Sequence, residues 1–465
     1  MTTNESGRLA VTKAYNDQPI DDVALTDWGV LNGMLETAAT LHRQQAALPA
    51  HKCIEILQAL ADDMEGEVEA YAALIAQEGG KPLTDARVEV ARAINGVRLA
   101  IGEIEHHGGR ELPMDLSAAG DGRIAFTRKH PIGPVVAISA FNHPLNLIVH
   151  QVVPAIATGC PVIVKPADTT PLSCLKFVDA VHRAGLPPEW CQAVVTDIPT
   201  AEKLVTDQRV AFFTFIGSAK VGWYLRSKLA PGTRCALEHG GAAPVVVHAD
   251  ADLDRALPSI VKGGYYHAGQ VCVSVQRLFV DNAAKDRVVE ALTDQVGRLV
   301  VGDPELAETE VGPLITPREV GRVGSWVDEA VKAGAGLAIG GGQVSDHVYQ
   351  PTVLVDPPTD AKVSTLEVFG PVTCVYGFDD IDDAVAQANA LPFAFQAAVF
   401  SQDIDKALAM ADRLDASAVM VNDHSAFRVD WMPFAGLRQS GLGIGGIPYT
   451  MEDMVIDKMT VIRRK

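Results

Sequence analysis

A chain of 465 residues, 48% hydrophobic and 21% charged, is long enough for two or three domains with large cores and is globular rather than disordered or fibrous. Its formal net charge of −19 argues against a nucleic-acid partner, which needs clustered positive charge to displace counterions. Seven scattered cysteines with no C-x-x-C pair suggest a reduced, cytoplasmic setting and no metal site. There is no apolar leader in MTTNESGRLAVTK and no apolar run of about 18 residues, so neither secretion nor a membrane span is expected.

Residues 1–26 read as polar and irregular. Residues 28–75 read as two or three amphipathic helices, with Cys53, Ile54, Leu57, Leu60 and Met64 recurring at helical spacing. Gly-Gly-Lys-Pro (79–82) breaks the chain before a helix from about Thr84. Residues 111–131 alternate and turn, with Ala-Gly-Asp-Gly (119–122) as a hairpin signal. From Pro134 strands alternate with helices: VVAIS, a helix from Pro144 to about Thr158, PVIVKPA, a helix through Ser173 to Ala184, AVVT and FFTFI. Continuous β-branched runs between helices imply a parallel, doubly wound sheet covered on both faces. No G-x-G-x-x-G fingerprint accompanies it. A second α/β unit starts at Ala243 with a strand, a helix capped after Asp250 and a turn holding Cys272; strands and helices fill 275–430, and the tail MVIDKMTVIRR alternates as a strand.

Cys272 lies in KGGYYHAGQVCVSVQR (262–277), after small residues and before the β-leaning Val273-Ser274-Val275, where an exposed turn entering a strand could seat a nucleophile. Alone, it reads equally as a packing cysteine, Asn142 as a turn or N-cap residue, and Glu238 as a strand-end residue. Four further blocks change that balance: ISAFNHPLNLIVHQVVPAIATGCPVIVK (138–165), FIGSAKVG with ALEHGG (215–222, 236–241), EVFGP (367–371) and PFAGLRQSGLG (433–443). Together they resemble the signature blocks of the aldehyde dehydrogenase superfamily, in order and at compatible separations, from about residue 30 to the C-terminus. The family sheet holds its dinucleotide without the missing glycine fingerprint. Departures include His239 in a block that commonly reads L-E-L-G-G, and Ala435, Arg438 and Ile444 near the end.

The resemblance implies two doubly wound α/β domains, one binding dinucleotide (1–110 and 132–238) and one catalytic (239–444). It also implies a small β arm (111–131 and 445–465) through which a homodimer or homotetramer forms. Aldehyde oxidation needs a nucleophile that forms a tetrahedral adduct, donors for its oxyanion, and a base that activates water to hydrolyse the thioester. By resemblance these are Cys272, Asn142 with the Cys272 backbone N–H, and Glu238. Glu238 favours hydrolysis over release to coenzyme A, and the three residues together disfavour a catalytically silent relative. For an NAD cofactor, with NADP possible, Lys165 and Asp168 match the adenine-ribose positions. Gly217 and Ser218 open a helix whose N–H groups face the pyrophosphate, and Glu367 with Phe369 positions the nicotinamide ribose.

Arg92, His143, Asn146, His150 and Arg428 align with tunnel-lining or covering positions, and two arginines with two histidines point to a small polar or anionic aldehyde. The C-terminal segment is similar to the lactaldehyde, phosphonoacetaldehyde and succinate-semialdehyde dehydrogenase branch. Val271, before the cysteine, counts against a phosphonate but leaves a carboxylate, a sulfonate or a general short-chain hydroxyaldehyde open.

Overall fold

Two largely parallel sheets form the body of the computed structural model, which describes residues 7–44 and 47–464. The first runs Gly441–Leu442, Arg234–Glu238, Phe212–Ile216, Val135–Ile138, Val162–Lys165, Cys191–Ala193, parallel except for Gly441–Leu442. Successive strand residues point to opposite faces, and both faces are buried. Val135, Ala137, Val162 and Val164 pack in one apolar cluster, while Val136, Ile163, Phe213 and Phe215 pack in another with Leu31 and Leu35. Each such fully buried aliphatic side chain contributes about 1.5–3 kcal/mol. The chain moves outward from Val135–Ile138 through 162–165 and 191–193, then returns to Phe212–Ile216 on the other side. A crevice therefore opens beyond the carboxyl ends of Val135–Ile138 and Phe212–Ile216, at the point where the winding reverses.

The second sheet has seven strands, Gly336–Ile339, Thr352–Val355, Val372–Phe378, Val275–Asp281, Ala243–Val247, Gln396–Phe400 and Ala418–Val421, antiparallel only at the first pair. The tail strand Val455–Arg463 pairs antiparallel with Arg123–Pro131, which pairs with Glu111–Leu112.

The segment read as irregular at 1–26 instead contains a hairpin, Leu9–Thr12 against Pro19–Val23. Leu9 and Val11 are buried on Val195, with Ile20 and Val23 of the second strand only partly buried against them, so the apolar alternation is too short to stand out from its polar surroundings. The helix expected from Pro144 begins at Asn146, and the helix expected after Asp250 is capped by Asp252, which accepts from the N–H of Arg255.

The start of the Asn146–Thr158 helix is held from outside. Glu89, on the helix Leu83–His106, accepts from the N–H groups of Leu145 (2.9 Å) and Asn146 (3.0 Å) with one carboxylate oxygen, and its other oxygen pairs with Lys81. Both charged side chains are 1% exposed. A carboxylate aimed at a helix N-terminus satisfies two orphan donors and complements the dipole. Glu89→Gln leaves a buried ammonium without its counter-charge, so chemical denaturation is expected to show a loss of about 3–5 kcal/mol, whereas Glu55→Gln on the exposed Lys52–Glu55 pair leaves stability unchanged.

Candidate active site

A cavity of about 640 Å³ occupies the crevice and reaches the second sheet. From the first sheet come the strand ends Ser139–Asn142 and Phe215–Ser218, and from the second the Cys272 turn with Glu367 and Phe369. Cys272 is reached through an abrupt change of backbone direction. His267 (φ 50°), Ala268 (φ 53°) and Gly269 (φ 69°) are all left-handed, a strained arrangement for the first two. Gly269 is obligatory, since a Cβ there would lie 2.2 Å from the carbonyl oxygen of Gly370. The turn then enters the strand Val275–Asp281, and Cys272 sits at the cavity wall rather than on an exposed turn.

Burial pushes the Cys272 thiol well above its ordinary range, and the Glu238 and Glu367 carboxyls act in the same direction while Arg428 opposes them. Burial and the two carboxyls thus favour the thiol form of Cys272, and Arg428 favours the thiolate. Glu238 ends the strand Arg234–Glu238, and its backbone carbonyl accepts from the N–H of Gly217 at 3.0 Å. Burial raises its carboxyl pKa, opposed by Arg428 and then Arg92, which suits a group that must accept a proton. The Asn142 side-chain amide donates to the carbonyl of Gln270 (2.9 Å), which fixes its orientation and leaves its second N–H for the cavity it lines. Asn142 caps no helix.

The cofactor positions divide into two groups. Gly217, Ser218, Glu367 and Phe369 line the cavity, whereas Lys165 and Asp168 do not, although their neighbours Ala167 and Thr169 do. Lys165 Nζ donates to Asp168 at 2.7 Å, so each charge is matched by the other. Ser218 makes no side-chain cap to the helix Ala219–Arg226, whose first N–H groups stay available to an anion. Glu367 is buried and pushed up to about 8 by burial, and its Oε1 has no partner. A Cβ on Gly240 would fall 1.6 Å from that oxygen. A carboxyl that keeps one free oxygen while taking the Gly241 N–H, beside the side-chain-free Gly240, fits a hydroxylated ribose, so this half of the cavity suits a dinucleotide. His239, noted only as a departure, donates from Nδ1 to the Gly217 carbonyl at 2.8 Å and braces the turn.

Three of the five tunnel candidates, Arg92, Asn146 and His150, meet on a residue the sequence did not single out, while Arg428 reaches only the far side of His150, at Nδ1 (3.4 Å). Asp430, 1% exposed, accepts from Arg92 (Nη2 to Oδ1 2.7 Å, Nε to Oδ2 3.3 Å), from His150 Nε2 (2.8 Å) and from Asn146 (3.2 Å). Burial alone would raise Asp430, but the His150 hydrogen bond and the Arg92 charge hold it far below the usual carboxylate range. Burial lowers His150 to about 4 and takes His143 well below its ordinary value, so both rings are neutral near pH 7. His143 meets Tyr266 Oη at 3.4 Å. Arg92, His143, Asn146 and Arg428 line the cavity, while His150 stands behind it. Arg428 stacks 3.6 Å from the Phe434 ring centroid, reaches Glu238 only at 3.7 Å, and has a buried Nε without a partner. The other lining arginines, Arg92, Arg318 and Arg322, each hydrogen-bond a carboxylate. Nothing in the sequence around Asp430 marks its partner, since Arg92 lies 338 positions away.

The model of the aldehyde dehydrogenase family matches residues 1–460. The chain belongs to that family. This aldehyde dehydrogenase, an oxidoreductase acting on aldehydes, is 35% identical to the 3-sulfolactaldehyde dehydrogenase of Priestia aryabhattai over 98% of its own length and 95% of the relative's. Its fold matches that of aldehyde dehydrogenase 21 from Physcomitrella patens, solved with the reaction product succinate (TM-score 0.95, 33% identity, 99% and 96% of the two chains). It also matches glyceraldehyde-3-phosphate dehydrogenase GapN from Methanocaldococcus jannaschii, complexed with NADP (TM-score 0.93, 32% identity, 98% and 99%). Among the described residues no helix is long and apolar enough to cross a membrane, and no cluster of potential metal ligands is present.

The opposing influences on Cys272 set a sign. The pH of half-maximal alkylation of Cys272 by iodoacetamide is expected to fall in Glu238→Gln and rise in Arg428→Met, and the reverse order would mean that these charges do not act on the thiol.

Proposed function

We propose that this enzyme oxidises a short aldehyde bearing a terminal anion to its carboxylic acid, with NAD(P) as cofactor and Cys272 as the covalent nucleophile. Cys272 releases its proton to water, and the thiolate attacks the carbonyl carbon to form a thiohemiacetal. The adduct's oxyanion is held by the free N–H of the Asn142 amide and by the Cys272 backbone N–H. A nicotinamide held near Glu367 and Phe369 would supply the hydride acceptor, and loss of hydride from this carbon would leave an acyl thioester on Cys272. Glu238 then takes a proton from water, the resulting nucleophile breaks the thioester, and the acid leaves. A base raised by burial supports hydrolysis over transfer to coenzyme A.

Gly217, Ser218, Glu367 and Phe369 would hold the dinucleotide. The Asp168 carboxylate supports NAD, and its neutralisation by Lys165 leaves NADP usable. We assign the enzyme to the cytoplasm, supported by seven free cysteines, and to a homodimer or homotetramer, supported by exposed Ile456, Met459, Val461 and Ile462 on the arm strand.

The observation that carries the substrate class is Arg428, the one arginine on the cavity wall, among the described residues, with no carboxylate within hydrogen-bond distance. A buried guanidinium in this state favours an anionic group over a neutral one. A single cation suits a carboxylate or sulfonate better than a dianionic phosphonate. The relatives named above, acting on sulfolactaldehyde or yielding succinate, support the same class.

NADH formation across aldehydes matched in length but ending in carboxylate, sulfonate, phosphonate, hydroxyl or methyl tests this. A carboxylate or sulfonate is expected to lead the hydroxyl compound by about tenfold or more in kcat/KM, with the preference lost in Arg428→Met. A lead for hydroxyl or methyl would make the enzyme a general short-chain dehydrogenase. Cys272→Ser is expected to abolish turnover, and Glu238→Gln to keep a stoichiometric burst of NADH while losing the steady state; an intact steady state there would remove Glu238 from its role.

A further inference from the structure

Asp430 takes no part in the steps above, yet it is the most heavily bonded carboxylate beside the cavity. It follows Arg428 by two residues, is 1% exposed, and receives hydrogen bonds from two helices, Leu83–His106 through Arg92 and Asn146–Thr158 through Asn146 and His150. Its backbone carbonyl accepts from the N–H of Ile447 at 3.0 Å, so the covering loop is pinned on both sides. A carboxylate removed from water to this extent persists only with a counter-charge, and Arg92 supplies it with two of its nitrogens. The pairing works in both directions: Arg92 lines the cavity, but its charge is cancelled from behind.

We infer that Asp430 is a positioning residue that sets substrate charge selectivity: by holding Arg92 it leaves Arg428 as the single cation that meets the far end of the aldehyde. This rests on the proposal that the aldehyde's terminal group faces this wall. With Asp430 in place the wall presents one guanidinium with no hydrogen-bonded carboxylate; without it, two.

A double-mutant cycle isolates the effect. Asp430→Asn can keep the Oδ1 acceptor for Arg92 Nη2, His150 and Asn146, while it removes the charge and the weaker Oδ2 acceptor of Arg92 Nε. The readout is the ratio of kcat/KM for the carboxylate aldehyde to that for the hydroxyl aldehyde of equal length, with KM and kcat resolved. Asp430→Asn is expected to raise this ratio about threefold or more, through KM for the anion, with a larger gain for the phosphonate that meets the released Arg92. Arg92→Met is expected to lower it, because Asp430 then stands uncompensated. The charge-balanced double variant is expected to return within about twofold of the parent ratio.

A double variant as low as Arg92→Met alone would show that Arg92 itself grips the substrate and would overturn the inference. So would an Asp430→Asn enzyme that loses both substrates equally in kcat, the mark of a loop anchor. If Asp430→Asn does not accumulate as folded protein, the double variant alone decides, since only charge cancellation predicts a parental ratio there. A parent enzyme with no anion preference would remove the proposed substrate class, whereas the relative shifts within the cycle test Asp430 separately.

Discussion

A thiol, a carboxyl and a guanidinium share one buried space in this enzyme, and the rest of the site follows from the charge balance among them. Burial raises Cys272 and Glu238 and lowers Arg428, so each group is pushed toward its neutral form. Arg428 opposes the effect on both acids and is opposed in turn by Glu238, so removing one member shifts the others. Such coupling is strong where water is excluded and weak where it is not. The two sheets exist, in functional terms, to close that space from opposite sides. One supplies Asn142 and Glu238 from strand ends, and the other supplies Cys272 from a turn wound through three left-handed residues.

The rigidity of the site has identifiable sources. Glu89 holds the start of the Asn146–Thr158 helix while Lys81 balances its charge, and the first residues of that helix face the cavity. Gly269 lets the nucleophile's turn press against Gly370, which brings Glu367 and Phe369 alongside Cys272. Asp430 secures the covering loop to two helices. Each is a contact between segments distant in the chain, and each fixes a segment beside the cavity on a support that cannot easily shift.

This distinction also governs what the sequence reveals. The alternating strands and helices from Pro134 onward, the helix beginning near Leu83 and the tail strand are legible, because they rest on local periodicity and turn chemistry, whereas the pairing of the tail with 123–131 came from the family resemblance. The motif blocks bring Cys272, Glu238, Asn142 and the Gly217-Ser218 turn to one cavity. The charge state of the tunnel was not legible. Arg92 and Asp430 are 338 positions apart, and nothing in either neighbourhood announces the pair. Two histidines that suggested positive charge are neutral because they are buried, which local sequence does not disclose. The hairpin at Leu9–Thr12 was missed for a related reason, since two inward residues carry too little pattern.

The most direct measurement is the mass of the Cys272 peptide after Glu238→Gln enzyme is mixed with a carboxylate-terminated aldehyde and cofactor and quenched at acid pH. If Cys272 carries the acyl group and Glu238 removes it, that peptide gains the mass of the acyl moiety in near-stoichiometric yield. The same peptide from the enzyme with Glu238 intact stays largely unmodified. An unmodified Cys272 in the variant, or an acyl group on any other cysteine, would contradict the account at its centre.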